Sequence, residues 1–180
     1  MSIQIFILGK LHDQDYHPYD IKKIINNGTE GLVRVTDGNL YYNFEALQKK
    51  DYIQKVNTIQ NDNRPEKTNY TVTEKGKEHL KEMIYKSFKN PEDVRSLFAS
   101  LLFIQLVDVN KLIYSTLETI ENLEKRIDYL QTNSYHPLPD YVDPDQHEMV
   151  DFMGAYTLDK KKVELKAFKQ LLSLLEKHRS

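Results

Sequence analysis

The sequence predicts a mainly α-helical protein with one small β-hairpin, divided into an N-terminal domain over residues 1–88 and a helical domain over residues 89–180. Three observations carry this prediction. Apolar residues recur at helical spacing over most of the chain. The period changes to alternation only between Ile53 and Val72. A heptad pattern then occupies the second half.

The elements follow in order. Ile3, Phe6, Ile7 and Leu11 share one helical face, broadened by Ile5 and Leu8, so the first helix is expected to be largely buried or to lie between domains. His12 to His17 is polar and short, a connection. Pro18 suits the first turn of a second helix, where its missing N–H is not needed, and Tyr19, Ile21, Ile24 and Ile25 give that helix its inner face. Asn26-Asn27-Gly28 ends it with residues that tolerate a left-handed conformation. Leu32 to Val35 is a short β-prone run.

Thr36 or Asp37 then caps a third helix, in which Leu40, Phe44 and Leu47 form a narrow apolar stripe. On the remaining arc lie Asn39, Tyr41, Asn43, Gln48 and Lys49. Amides and a phenol near a helix N-terminus can read base edges, and lysines can meet phosphate, although an ordinary amphipathic surface helix would show the same stripe. From Ile53 the residues alternate as one arm of a hairpin, Asn61 to Pro65 is dense in turn formers, and Asn69 to Val72 makes the return strand. Thr73 caps a fourth helix with Glu74 in its first turn. Three helices followed by a hairpin is the winged helix-turn-helix plan, with the third helix placed to enter a major groove.

Four fragments at matching order and spacing make the likeness specific. They are Ile7-Leu8-Gly9-Lys10-Leu11, Tyr19-Asp20-Ile21, Gly38-Asn39-Leu40-Tyr41 with Leu47, and Tyr70-Thr71-Val72-Thr73-Glu74-Lys75-Gly76. Over about residues 3–85 the chain resembles the PadR family of transcriptional regulators. Two positions depart from that family's pattern: Pro18 stands where it usually has Gly, and Tyr42 where it usually has Pro. The resemblance implies repression of a neighbouring promoter, relieved in some members by a small, often aromatic, effector. On this reading Thr36, Asn39, Tyr41 and Asn43 face bases or the sugar–phosphate edge. Tyr19, Lys22 and Lys49 contact the backbone, and Arg64 and Lys67 on the wing reach phosphate or the minor groove. The partner is double-stranded DNA carrying a near-palindromic operator. A winged helix used instead as a protein-interaction module, without DNA binding, is the alternative.

Beyond the fourth helix, whose apolar side is Leu80, Met83, Ile84 and Phe88, Asn90 and Pro91 are expected to open a buried helix through Ile104. Val109, Ile113, Thr116, Ile120, Leu123, Ile127 and Leu130 then form a heptad seam. The last helix, from about Gln146 to Lys177, spans roughly 48 Å. It carries one seam of Leu158, Leu165, Phe168, Leu172 and Leu175, and a second of Val163, Ala167, Leu171 and Leu174. Two seams exceed what one intrachain partner covers, so a homodimer is expected, with the C-terminal domain as its dimerisation domain.

Other classes find less support. The chain carries 25 Lys and Arg against 27 Asp and Glu, which argues against a polybasic coat but leaves room for a local basic face. Cysteine is absent, so a disulfide framework, a thiolate metal site and a cysteine nucleophile are excluded. The N-terminus lacks a basic leader, and the apolar run from Leu97 to Val109 is too short to span a bilayer, so no membrane association and a cytoplasmic location are expected. His136, His147, Asp140, Asp143 and Asp145 gather possible ligands, but three prolines extend that loop, and no metal or other cofactor is expected. Neither a phosphate-cradling glycine loop nor a nucleophile elbow occurs, so no enzyme is expected. Phe6, Phe98, Phe103 and Phe152 are candidate walls of an effector cavity, although core packing accounts for each taken singly.

Overall fold

Helix α1 (Ile3–Asp13) is apolar almost all round, and Ile5, Phe6, Ile7, Leu8 and Leu11 are buried in the computed structural model, as a helix without a polar face requires. The structure describes residues 3–28, 35–56, 68–132 and 143–179. The chain divides into two compact units, one of Met1–Ser87 with Ser96–Val107 and the other of Phe88–Arg95 with Asp108–Ser180. The segment Ser96–Val107, which lies beyond residue 88, thus groups with the first unit.

In the first unit, α2 (Pro18–Gly28) begins at Pro18 as expected, but its cap is His17. The His17 carbonyl accepts from the Asp20 and Ile21 N–H groups at 3.0 and 3.3 Å, and its ring Nδ1 accepts from the Tyr19 N–H at 3.1 Å. Thr36 caps α3 (Asp37–Lys49), its hydroxyl oxygen accepting from the Asn39 N–H at 3.3 Å. Leu40, Phe44 and Leu47 are buried, so the stripe read from the sequence is the inner face. Val35, the described end of the β-prone run, belongs to no strand. Its N–H donates to Asn26 Oδ1 at 3.3 Å, while 32–34 lie outside the described residues.

Helix α3 ends without glycine. Asp51 adopts φ 59°, its N–H donates to the Gln48 carbonyl at 2.9 Å, and the Tyr52 N–H reaches back to the Leu47 carbonyl at 3.0 Å. This paired closure is a Schellman motif, and aspartate fills the left-handed position that glycine occupies at lower cost. Asp51→Gly is therefore expected to raise stability by about 0.5–1 kcal/mol in urea melts, and an unchanged or lower midpoint would refute that account.

Strands β1 (Ile53–Val56) and β2 (Asn69–Val72) pair antiparallel, with Ile53 opposite Val72 and Val56 opposite Asn69. The turn between them, with Arg64 and Lys67, lies outside the described residues. Tyr16 adds a bridge to β2 through two backbone bonds with Tyr70, at 3.2 and 2.9 Å. Thr73 then joins two elements. Its hydroxyl donates to the Asp51 carbonyl at 2.7 Å and accepts from the Gly76 N–H at 3.0 Å, so one residue caps α4 (Glu74–Lys89) and ties it to the end of α3.

The helix expected from Asn90 to Ile104 is a correction. Residues Val94–Leu97 and Ile104–Leu106 are single 3₁₀ turns around a four-residue α5 (Phe98–Leu101). The Val94 N–H is satisfied by Glu164 Oε2 at 2.9 Å, so a distant carboxylate fixes the start rather than Asn90. Four consecutive apolar residues, Leu101 to Ile104, cannot share one helical face. The chain breaks so that Phe103 is buried while Leu102 remains 55% exposed, against the expected burial. Phe103 packs edge-on against Phe6 with centroids 6.2 Å apart and covers Gly9, where any Cβ would strike its ring.

In the second unit, α6 (Val109–Thr132) and α7 (His147–Lys177) pack on each other, and Lys169 Nζ meets Glu124 Oε1 at 2.6 Å. Thr116, Ile120, Ile127 and Leu130 of the heptad seam are buried, joined by Leu112, while Val109, Ile113 and Leu123 are half-buried. On α7 the buried apolar side chains are Phe168, Leu171 and Leu175. Met149, Phe152, Met153, Tyr156, Val163 and Leu174 remain exposed. No helix among the described residues is long and apolar enough to cross a membrane.

Candidate nucleic-acid interface

The candidate surface is the outward face of α3 with the first turn of α2. With Leu40, Phe44 and Leu47 turned inward, a 100° step per residue puts Gly38, Tyr42, Glu45 and Lys49 opposite the core, flanked by Asn39 on one side and Tyr41 on the other. Tyr42 is 71% exposed and Tyr41 45%, so neither phenol is committed to packing. Tyr42 and Glu45 are not among the candidate site residues that the sequence suggests. Projecting the helix away from its stripe is the signal that finds them.

The polar side chains on this face are oriented by one another. Asn43 Nδ2 donates to both the Asn39 carbonyl and Asn39 Oδ1, each at 2.8 Å. The bond to Oδ1 fixes the Asn39 amide with its own Nδ2 left to donate outward. Asn43 is thus a positioning residue for Asn39, a role that sequence spacing alone does not reveal. Thr36 is exposed, but its hydroxyl oxygen already accepts the Asn39 N–H.

Lys22 is less free than its sequence suggests. Its Nζ meets Asp37 Oδ1 at 2.7 Å, joining α2 to the first turn of α3. Asp37 favours the positive end of the helix dipole but would repel a phosphate, and the Lys22 charge offsets that repulsion. Tyr19 stands 58% exposed on the first turn of α2, and Lys49 is exposed near the end of α3. Lys75 reaches across to donate to the Lys50 carbonyl at 2.9 Å, placing a cation at the C-terminal end of α3.

Behind the face, Tyr70 packs edge-on against Phe44 at 5.0 Å. Burial pushes its hydroxyl pKa up, reinforced by the nearby Tyr41 and Glu45, so it is a neutral group under α3. Arg64 and Lys67 lie outside the described residues.

Residues 7–82 match the model of the transcriptional regulator PadR-like family. The matched stretch lies within the first unit, and over it the chain is similar to that family. Several solved structures are similar. A protein of Streptococcus mutans UA159 is 29% identical, covering 96% of this chain and 99% of its own, with a TM-score of 0.44. Bacillus subtilis PadR in complex with operator DNA is 20% identical, covering 96% and 98%, with a TM-score of 0.45. A transcriptional regulator from Clostridium thermocellum is 26% identical, covering 46% and 77%, with a TM-score of 0.42. Curated proteins give no match.

The four phenylalanines considered for an effector cavity are differently placed. Phe6 and Phe103 are buried against each other in the first unit, and Phe98 is half-buried. Phe152 is on α7 in the second unit, 67% exposed and 6.5 Å from the Tyr156 ring. Among the described residues no group of three or more His, Asp and Glu is arranged to hold a metal, and 133–142 lie outside them.

Proposed function

We propose that this protein is a PadR-like transcriptional regulator, a sequence-specific DNA-binding repressor that acts in the cytoplasm as a homodimer. The observation that carries the reading is the outward face of α3. Asn39, oriented by Asn43, and the exposed Tyr41 and Tyr42 have no part in the core of the stretch that matches the PadR-like family model. Thr36, Asn39, Tyr41 and Asn43 serve base edges directly or through one another, while Tyr19, Lys22 and Lys49 hold the backbone. Arg64 and Lys67 supply the wing contacts. Release by a small aromatic effector is part of the proposal on family grounds alone.

A gel-shift titration of the protein against its own upstream region, run at two salt concentrations, tests the reading. The shifted complex should resist a shuffled duplex and weaken steeply as salt rises, because each neutralised phosphate adds about 0.9 to the logarithmic salt slope. Equal affinity for the shuffled duplex, or no complex at low salt, would favour the protein-interaction module instead.

The homodimer is supported by the exposed apolar residues of α7, among which Met149, Phe152, Met153 and Tyr156 follow helical spacing along one face. Phe152→Glu combined with Met153→Glu is expected to convert dimers to monomers in light scattering at micromolar concentration. A dimer that survives both changes would remove that face from the interface.

A further inference from the structure

We propose that the second unit binds a small, multiply charged anion, a phosphate ester or a polycarboxylate, in a pocket formed by α6, α7 and the segment after α4. The pocket has a volume of about 260 Å³, and Lys89, Arg126 and Lys161 line it together with Asn90, Asn122 and Thr119. No carboxylate is among its lining residues. Four acidic groups on the same elements are engaged elsewhere: Asp93 with Arg95 at 3.6 Å, Glu121 with Lys125 at 2.6 Å, Glu124 with Lys169 at 2.6 Å, and Glu164 with the Val94 N–H. Glu92, Glu118, Asp128 and Asp159 are on the same elements but not in the pocket lining. Among the described residues neither Lys89 nor Lys161 makes an ion pair, and Arg126 instead lies over the Tyr129 ring, 5.2 Å from its centroid.

Three like charges around one concavity repel, and that cost is recovered only when an anion joins them. The remaining polar groups suit such a guest. The Asn90 and Asn122 amides have no described hydrogen-bond partner and can donate, and the Arg126 guanidinium presents a planar fork that matches carboxylate or phosphate. Thr119 gives its own proton to the Ser115 carbonyl at 3.0 Å, leaving its oxygen as an acceptor for a hydroxyl or an amide at the pocket wall. An ordinary solvated lysine face would be convex and interspersed with acids. This surface is concave, and Lys161 and Thr119 are half-buried in it. The proposal stands independently of the DNA reading, since none of these residues belongs to the first unit.

The full-length protein, titrated with pyrophosphate, with citrate and with chloride at matched ionic strength, provides the test by calorimetry and thermal melting. Saturable binding at one anion per chain is expected for pyrophosphate or citrate and not for chloride. Pyrophosphate alone would assign a phosphate ester, citrate alone a polycarboxylate, and both a site that reads charge number. Arg126→Gln with Lys161→Gln should weaken binding at least about tenfold, whereas Arg126→Lys with Lys161→Arg should retain it and Lys160→Gln outside the pocket should leave it unchanged. A response no greater than that of chloride, or one that persists undiminished in the Gln double variant, would overturn the assignment.

Discussion

Gly76→Ala is expected to destabilise the first unit by about 3 kcal/mol, near the upper end of overpacking costs and enough to shift a urea midpoint visibly. Helix propensity alone predicts the opposite sign, because alanine is better than glycine within a helix by about 1 kcal/mol. Sterics decide the outcome. A Cβ at position 76 would fall on the Tyr52 carbonyl oxygen and 2.8 Å from Val72 Cγ2. That carbonyl cannot move away cheaply, since it accepts the Thr73 N–H at 3.0 Å and lies 3.2 Å from the Thr73 hydroxyl. Gly38→Ala is the matching control. A Cβ there meets nothing within 4 Å, so only the propensity gain of up to about 1 kcal/mol remains. Urea melts that rank the two variants in the reverse order would contradict the close approach of α4 to the Tyr52 carbonyl and Val72.

Asn39→Ala is expected to cost about 1–3 kcal/mol of operator affinity and to relax preference at a single base position. Arg64→Ala should instead weaken binding evenly across operator variants and flatten the salt slope by about one unit. The hydrogen bond from Asn43 Nδ2 to Asn39 Oδ1 adds a sharper expectation. Asn43→Ala leaves the Asn39 amide free to rotate, so its loss should fall at the same base position, and the double variant should lose less than the sum of the two. Competition binding against a panel of single-base operator variants measures all four proteins. Strict additivity, or equal losses on every sequence, would remove Asn39 and Asn43 from base reading.

The parts of the fold legible in the sequence are those with a clear period or a cap chemistry. The stripe Leu40, Phe44 and Leu47, the strand beginning at Ile53 and Asn69 to Val72, and the Thr73 cap each appear where the sequence places them. Pro18 opens α2 where the sequence places it, and the neighbouring His17, which reads in sequence as part of a connection, supplies the cap. The stretch after Asn90 was not legible, because four successive apolar residues have no period and its start depends on Glu164, seventy residues away in sequence. Helix α3 closes on Asp51 rather than on glycine, and only its φ reveals that. On the candidate face, the apolar stripe locates the helix, but Tyr42, which stands opposite the core, is found only by projecting away from that stripe. Lys22 looked like a free phosphate contact because its partner Asp37 lies in the next helix, fifteen positions along the chain.

The absence of cysteine gives direct access to the central claim. Gly38 is on the outward face of α3 with open space around it, so Gly38→Cys carries one label at the start of α3 without disturbing the core. With an iron chelate attached there and hydroxyl-radical cleavage triggered on the bound upstream duplex, cutting should be confined to a few nucleotides within each half-site. Half-sites read by a twofold pair should lie one helical turn, or a whole multiple of it, apart. Cleavage spread along the duplex, or none while the complex is intact, would show that α3 does not face the DNA.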